Sequence, residues 1–320
     1  MRTTSVVAEW AQWLDAWVAA GDVHARIAED AASRGRVRTA GEAFVRAAIY
    51  YHFAKHQWVE DEAKYRATTD LSVATLRRGM PLLDPTFERV EVAAAGVRVI
   101  ANVRRPEGSS RPPVVVLVPG LDSTKEEFPA WEETFLRRGI ATASCDGPGQ
   151  GEAGYDQPMR PDYEVAVSAL LDALCRRDDL DRDRIGIAGL ALGNYYAARA
   201  AASDPRIKAV AVIGGPYTLE ARGERSLRKL MHSARLTDDD AARAFASRFT
   251  LAGVTERIAQ PYLVVHGGKD RSFPWQDAER KAREAKRGEF VLYPEGGTAC
   301  YTVDNVAKPF VADWLREKLA

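Results

Sequence analysis

Cysteine is scarce in this chain: Cys145, Cys175 and Cys300 are the only three among 320 residues. Thiols so few and so scattered exclude a disulfide framework and a cysteine-built zinc site. Long apolar runs are missing too, since no stretch reaches the roughly 18 to 20 residues that would cross a bilayer. The opening Met1-Arg2-Thr3-Thr4-Ser5-Val6-Val7-Ala8-Glu9-Trp10 has no apolar signal-peptide core. There is no charge excess of either sign, because 45 Lys plus Arg meet 45 Asp plus Glu. A neutral balance removes the argument for nucleic acid or an anionic membrane as partner. Histidines number five, His24, His52, His56, His232 and His266. His52 and His56 share a helical face at i, i+4, but no third ligand and no H-E-x-x-H pattern accompanies them, so no metal is expected. The expectation is a cytoplasmic protein with a small-molecule substrate.

What is present is ordinary globular composition, 46% hydrophobic and 28% charged, and enough length for one large α/β domain with an appended segment. Two textures divide the chain. Residues 1–79 read as a helical domain, with Trp10, Trp13, Leu14 and Trp17 at helical spacing and Ala43, Ala47, Ala48 and Tyr51 repeating the pattern. An aromatic stripe of this kind reads as core or domain interface. Pro81-Leu82-Leu83-Asp84-Pro85 should break the last helix and mark the boundary.

Residues 80–320 alternate β and α. A hairpin is expected over 87–93 and 97–104, turning at Ala94-Ala95-Gly96. Val114-Val115-Val116-Leu117-Val118 reads as a central strand covered on both faces. A helix is expected over 126–138, a strand over 141–145, a helix over 162–177, a strand over 185–188 and a helix over 193–202. The strand over 209–213 is followed by a polar, helical insertion near 219–258. Strand 262–266, helix 275–286, strand 289–293 and helix 306–319 close the chain. This spacing predicts a mostly parallel central sheet flanked by crossover helices; with the strand-end motifs that follow, it points to the α/β-hydrolase fold, the helical insertion serving as a cap.

The chemistry gathers at strand ends. Gly189-Leu190-Ala191-Leu192-Gly193 follows a strand and opens a helix, as the nucleophile elbow G-x-S-x-G does. Its position at a helix N-terminus lets backbone N–H groups stabilise an oxyanion, but Ala191 carries no nucleophilic atom. Gly120-Leu121-Asp122-Ser123-Thr124-Lys125-Glu126-Glu127 follows the first central strand, where the second oxyanion-hole N–H belongs. Asp146-Gly147-Pro148-Gly149-Gln150-Gly151-Glu152 suits tight loops at the site's rim. These glycines do not form G-x-G-x-x-G before a helix, so no dinucleotide cofactor is implied. His266-Gly267-Gly268-Lys269-Asp270 ends a later strand, where the acid of a Ser…Asp…His order falls, and Tyr293-Pro294-Glu295-Gly296-Gly297-Thr298-Ala299-Cys300 ends the last one.

On these motifs the chain resembles the α/β hydrolases of the 2,6-dihydroxypseudooxynicotine hydrolase and esterase FrsA-like family. The likeness extends to the N-terminal tryptophans and to Thr39-Ala40-Gly41-Glu42-Ala43. The resemblance implies carbon–carbon bond or ester hydrolysis by a serine, an aspartate and a histidine, and it implies a homodimer. By position those three roles fall on Ala191, Asp270 and Thr298, so only the aspartate survives. It also implies that helices from the N-terminal domain and the insertion roof a pocket.

Acyl transfer needs an attacking oxygen and an imidazole to accept its proton. With both missing, a repurposed non-covalent catalyst is expected, supporting proton transfer, elimination, cyclisation, isomerisation or carbon–carbon chemistry on a small aromatic or polyketide-like metabolite. The alternatives are an inactive binding or scaffold protein and an inactivated carbon–carbon hydrolase. Asp270 and Tyr217 are the expected acid/base or donor groups. Leu121, Asp122, Ala191, Leu192, Thr298, His232 and Cys300 are expected around the pocket. At least one of Tyr195 and Tyr196 reads as core and His266 as structural; Tyr301 lies beside the position of the missing histidine, and Glu126 and Glu127 read as helix-start charges.

Overall fold

The computed structural model describes residues 3–220 and 223–320. Met1 and Arg2 of the N-terminal stretch, and Ala221 and Arg222 of the insertion, lie outside the described residues. Three helices come first, α1 (Trp13–Ser33), α2 (Val37–Ala54) and α3 (Glu62–Leu83). The tryptophan stripe packs inward as expected: Trp10, Trp13 and Trp17 follow one another at 5.2 and 5.4 Å between ring centroids, and Trp17 lies 5.6 Å from Phe53 of α2. Pro81 does not break the helix. It falls in the last turn of α3, where its missing N–H forfeits a single bond, and the helix runs on to Leu83 before Asp84 turns extended. His56 also departs from expectation: α2 stops at Ala54, so His56 lies beyond the helix that holds His52.

The sheet has eight strands in the order β1-β2-β4-β3-β5-β6-β7-β8. They are β1 (Glu88–Ala94), β2 (Val97–Arg104), β3 (Val114–Val118), β4 (Ala141–Asp146), β5 (Ile185–Leu190), β6 (Ile207–Ile213), β7 (Pro261–Gly267) and β8 (Arg287–Tyr293). β1 and β2 pair antiparallel with each other, β2 is antiparallel to β4, and every later neighbour is parallel. The connecting helices are α4 (Pro129–Leu136), α5 (Glu164–Cys175), α6 (Gly193–Ser203), α7 (Glu224–Ala234), α8 (Asp239–Ala246), α9 (Trp275–Glu284) and α10 (Asp304–Lys318). All five residues of β3 are buried, alternating between two apolar layers. Val114, Val116 and Val118 face the layer that includes α5 and α6, while Val115 and Leu117 face the one that includes α4 and α10. The uninterrupted apolar run in the sequence is this two-sided burial.

The expected helix over 126–138 is shorter. Lys125–Glu127 forms a single 3-10 turn, and α4 begins at Pro129, where a fixed φ and an absent N–H cost nothing. Glu126 and Glu127 therefore precede α4 instead of starting it, and Glu126 belongs to a buried charge cluster. Lys125 Nζ lies 2.7 Å from Glu126, 3.0 Å from Asp146 and 3.0 Å from Glu152. The Lys125 backbone N–H donates to the other Asp146 oxygen at 2.9 Å, and Arg89 completes the balance on Glu152 at 2.9 Å. Burial pulls the ammonium's pKa down, yet the three carboxylates outweigh it and hold the group charged. Removing one partner of such a cluster leaves an uncompensated buried charge. Lys125→Met should therefore destabilise the fold by about 3–5 kcal/mol in urea unfolding. A loss below about 1 kcal/mol would show that the cluster is not held as described.

Candidate active site

β5 ends at Leu190 and α6 begins at Gly193, so the chain reverses within two residues. Neither glycine of the elbow can be replaced without collision. A methyl on Gly189 would overlap the carbonyl oxygen of Gly193, and one on Gly193 would overlap that of Val118. Ala191 sits between them at φ 51°, in the left-handed region that a side chain resists by about 1–2 kcal/mol. The strain is held by bonds at both ends: Ala191 N–H donates to Ile213 O at 3.0 Å, and Asn194 N–H donates to Ala191 O at 3.0 Å. The turn is a nucleophile elbow with a methyl group at its tip.

The loop after β3 lies against this tip. A methyl on Gly120 would come within 3.2 Å of Ala191 Cβ and 3.4 Å of Leu192 N. Among the described residues, neither the Leu121 N–H nor the Leu192 N–H has a protein acceptor. Two amide donors therefore stay available beside the elbow. Their loop is held from below by the Asp146–Gly151 segment, whose role the sequence left at the rim. Gln150 Nε2 donates to Pro119 O at 3.0 Å and to Gly120 O at 3.2 Å, while its oxygen accepts from Gly147 N and from the Tyr163 hydroxyl at 3.1 and 2.5 Å.

Asp270 is committed to backbone. Its fully buried carboxylate accepts the N–H groups of Ser272 at 2.7 Å, Phe273 at 3.0 Å and Ala299 at 3.2 Å, with His266 Nε2 at 3.7 Å. It thereby clasps the turn holding Thr298, in which Ala299 and Cys300 take φ 48° and 58°. His266 gives its other contact to Phe273 O at 3.1 Å, in keeping with a structural place. On the opposite side of the elbow, the buried Lys281 Nζ donates to the Gly215 and Gly214 carbonyls at 2.9 and 3.4 Å. Burial pushes Lys281 down to about 7.

These elements enclose a cavity of about 270 Å³. Leu121, Leu190, Leu192, Leu219, Leu230 and Phe273 make its apolar wall; His56, Gln57, Asp122, Glu220, Arg271 and Tyr301 are among its polar groups. Gln57 Nε2 holds one Asp122 oxygen at 2.9 Å, and the other oxygen is buried without a partner. Behind Tyr301, Glu127 accepts its hydroxyl at 3.0 Å, takes the Ser123 hydroxyl, and lies 3.3 Å from His52 Nε2. Burial pushes Glu127 upward, but His52 and Ser123 outweigh it and bring it to about 2.

Of the residues singled out from sequence, Leu121, Asp122, Ala191, Leu192 and Thr298 border this cavity together. Four do not. Tyr217 gives its hydroxyl to Glu284 at 2.9 Å and stacks under Arg280 at 3.9 Å, because its loop turns toward α9. His232 faces Glu62 at 2.6 Å in a separate cavity of about 140 Å³. Cys300 is fully buried, its thiol pushed up to about 12 by burial and Asp270, so it is inert. Asp270 lies behind the wall, bonded as above. Tyr195 and Tyr196 are both buried. Tyr301, beside the position of the missing histidine, also lines the cavity, whereas His56, Gln57 and Glu220 were not expected there. No local signal marks His56 and Gln57, because the pattern around Lys55-His56-Gln57 does not show that α2 stops at Ala54.

The sheet order, the helices on both faces and the elbow define an α/β hydrolase scaffold. The family model for esterase FrsA-like proteins matches residues 3–232, and the chain belongs to that family. The 2,6-dihydropseudooxynicotine hydrolase of Paenarthrobacter nicotinovorans is 31% identical over 96% of this chain and 84% of its own length. The alpha/beta hydrolase xenA of Xenoacremonium sinensis is 34% identical over 65% of this chain, which spans about half, 52%, of that relative. The crystal structure of 2,6-dihydroxy-pseudo-oxynicotine hydrolase superposes with a TM-score of 0.88 at 28% identity, covering 96% of this chain and 89% of that one.

Two outcomes follow from this geometry. Ala191→Gly should raise stability by about 1 kcal/mol in urea unfolding, because glycine adopts the left-handed conformation without the side-chain cost; a decrease would mean that the turn is not strained. Glu127 has a folded pKa of about 2 against an ordinary 4.5. Its contribution is fully present above the unfolded value and is lost as pH falls through that window toward 2. Glu127→Gln should flatten the acid limb of a stability–pH curve there. An unchanged slope would count against the His52–Glu127 pairing.

Proposed function

We propose that this chain is a hydrolase-fold enzyme that works without a covalent nucleophile, on a small aromatic or polyketide-like metabolite. One observation carries the reading. A methyl group stands where a serine hydroxyl would attack, yet two acceptor-free amides and a half-paired Asp122 border the same cavity. A carbonyl oxygen set between the Leu121 and Leu192 amides would gain most as it becomes an enolate or oxyanion. Each such donor is worth about 2.7–4 kcal/mol in systems where it has been removed. Ground-state carbonyls gain less, so the difference lowers a barrier. The chemistry served is proton transfer beside a carbonyl, and with it isomerisation, elimination, cyclisation or carbon–carbon bond change.

The similarity to a pseudooxynicotine hydrolase supports a carbonyl-bearing, ring-containing substrate. Asp270 takes the role of holding the Thr298 turn in place, and Tyr217 stands outside the reaction. The reading includes a cytoplasmic homodimer that belongs to secondary metabolism. Its rival is an inactive pseudo-hydrolase that only binds.

Incubation with a panel of activated esters and β-diketones separates these. The expected outcome is diketone turnover with no burst and no acyl-enzyme by mass spectrometry. A covalent acyl adduct would contradict the non-covalent reading, and complete inertness toward bound ligands would favour the binder.

A further inference from the structure

We propose that His56, supplied by the N-terminal helices, is the proton-transferring group of the cavity. This rests on the non-covalent reading above and names the residue that does its acid–base work.

The chain builds His56 into place. α2 ends at Ala54, and Lys55-His56-Gln57 turns back with Gln57 at φ 57°. The turn is closed by His56 N–H to Phe53 O at 3.2 Å and Trp58 N–H to Lys55 O at 3.2 Å. Gln57 then pins it to the catalytic domain through Asp122 at 2.9 Å. The His56 ring rests against Phe53 at 5.8 Å and His52 at 6.4 Å between centroids. Among the described residues, His56 is the only histidine that lines the cavity with Ala191, Leu192 and Leu121.

Its hydrogen-bond state is shared only with His24, which does not line the cavity. His52, His232 and His266 each have a protein partner on at least one ring nitrogen. Neither nitrogen of His56 has one, and Nδ1 is buried. An imidazole fixed by a pinned turn and left unpaired gives up free energy that a ligand's hydrogen bond would restore. The amides beside the elbow lack an acceptor and His56 lacks a partner, and both border one small cavity. A carbonyl compound with an acidic C–H beside its carbonyl answers both ends.

The step balances within the protein and substrate. The C–H α to the carbonyl breaks, its proton goes to the cavity-side nitrogen of His56, and its electron pair moves into the carbonyl to make an enolate. The enolate oxygen is held by the Leu121 and Leu192 N–H groups. Once the His56 proton has traded with solvent, delivery of the solvent-derived proton to the same carbon gives exchange, and delivery to a conjugated carbon gives isomerisation.

Phenylacetone in D2O tests this with the full chain, its exchange followed by NMR and its binding by calorimetry. The wild-type protein should catalyse deuterium entry at the benzylic carbon. His56→Gln should slow it by about 100-fold or more while Kd stays within about threefold. His56→Asn should behave alike, and melting curves confirm that both variants fold. Exchange as fast in both variants as in wild type would overturn the role of His56 and leave the non-covalent reading standing. Bound phenylacetone with no exchange in the wild type would overturn both. Wild-type exchange lost in both variants through a collapse of binding would also overturn the role, since His56 would then only hold ligand.

Discussion

Between β5 and α6 the backbone passes so close to itself and to β3 that the carbonyl oxygens of Gly193 and Val118 occupy the space where side chains at 189 and 193 would begin. That closeness forces the intervening turn into a left-handed conformation, which Ala191 adopts despite its methyl group. It also brings the loop after β3 against the elbow, so that the Leu121 and Leu192 amides border one cavity. The turn that hydrolases use to expose a nucleophile is thus kept, strain included, with no nucleophile to expose.

Support for this geometry comes from polar groups placed where apolar ones would ordinarily stand. Gln150 ties the amide-bearing loop to the segment after β4, and Lys125 with Glu126, Asp146 and Glu152 ties that segment to the turn before α4. The same turn reaches the N-terminal helices through Glu127 and His52. A cavity wall built this way resists repacking, because moving any member leaves a buried charge or amide unpaired. The N-terminal helices therefore border the cavity: the turn after α2 contributes His56 and Gln57 to its wall, and α2 supplies one end of the network behind it.

Much of the fold was legible because the alternation of strands and helices carries its own period. The apolar run at Val114–Val118 and the glycines around Ala191 announced a doubly covered strand and an elbow. Burial of charge was not legible. Glu126-Glu127 reads as a helix start, and only the approach of Asp146 and Glu152, distant in sequence, buries the neighbouring Lys125 and Glu126. His56 was placed on one helical face with His52, since nothing in the local pattern shows that α2 stops at Ala54. Asp270 follows the end of β7, and its three backbone partners arise from turns whose path the sequence does not encode locally. Tyr217 failed as a site residue for the same kind of reason, its hydroxyl being drawn to Glu284 of a helix 67 residues further on.

On the proposed reading the elbow, the amide pair and the Asp270-clasped turn form a hydrolase scaffold in which Ala191 and Thr298 stand where a nucleophile and a base would act. The double variant Ala191→Ser with Thr298→His tests it most directly, assayed with 4-nitrophenyl acetate by stopped-flow and intact-mass spectrometry. A burst of nitrophenol and one acetyl group on residue 191 are expected, because the elbow, the amide pair and the Asp270-clasped turn are already in place. A folded double variant that neither bursts nor acylates would contradict it.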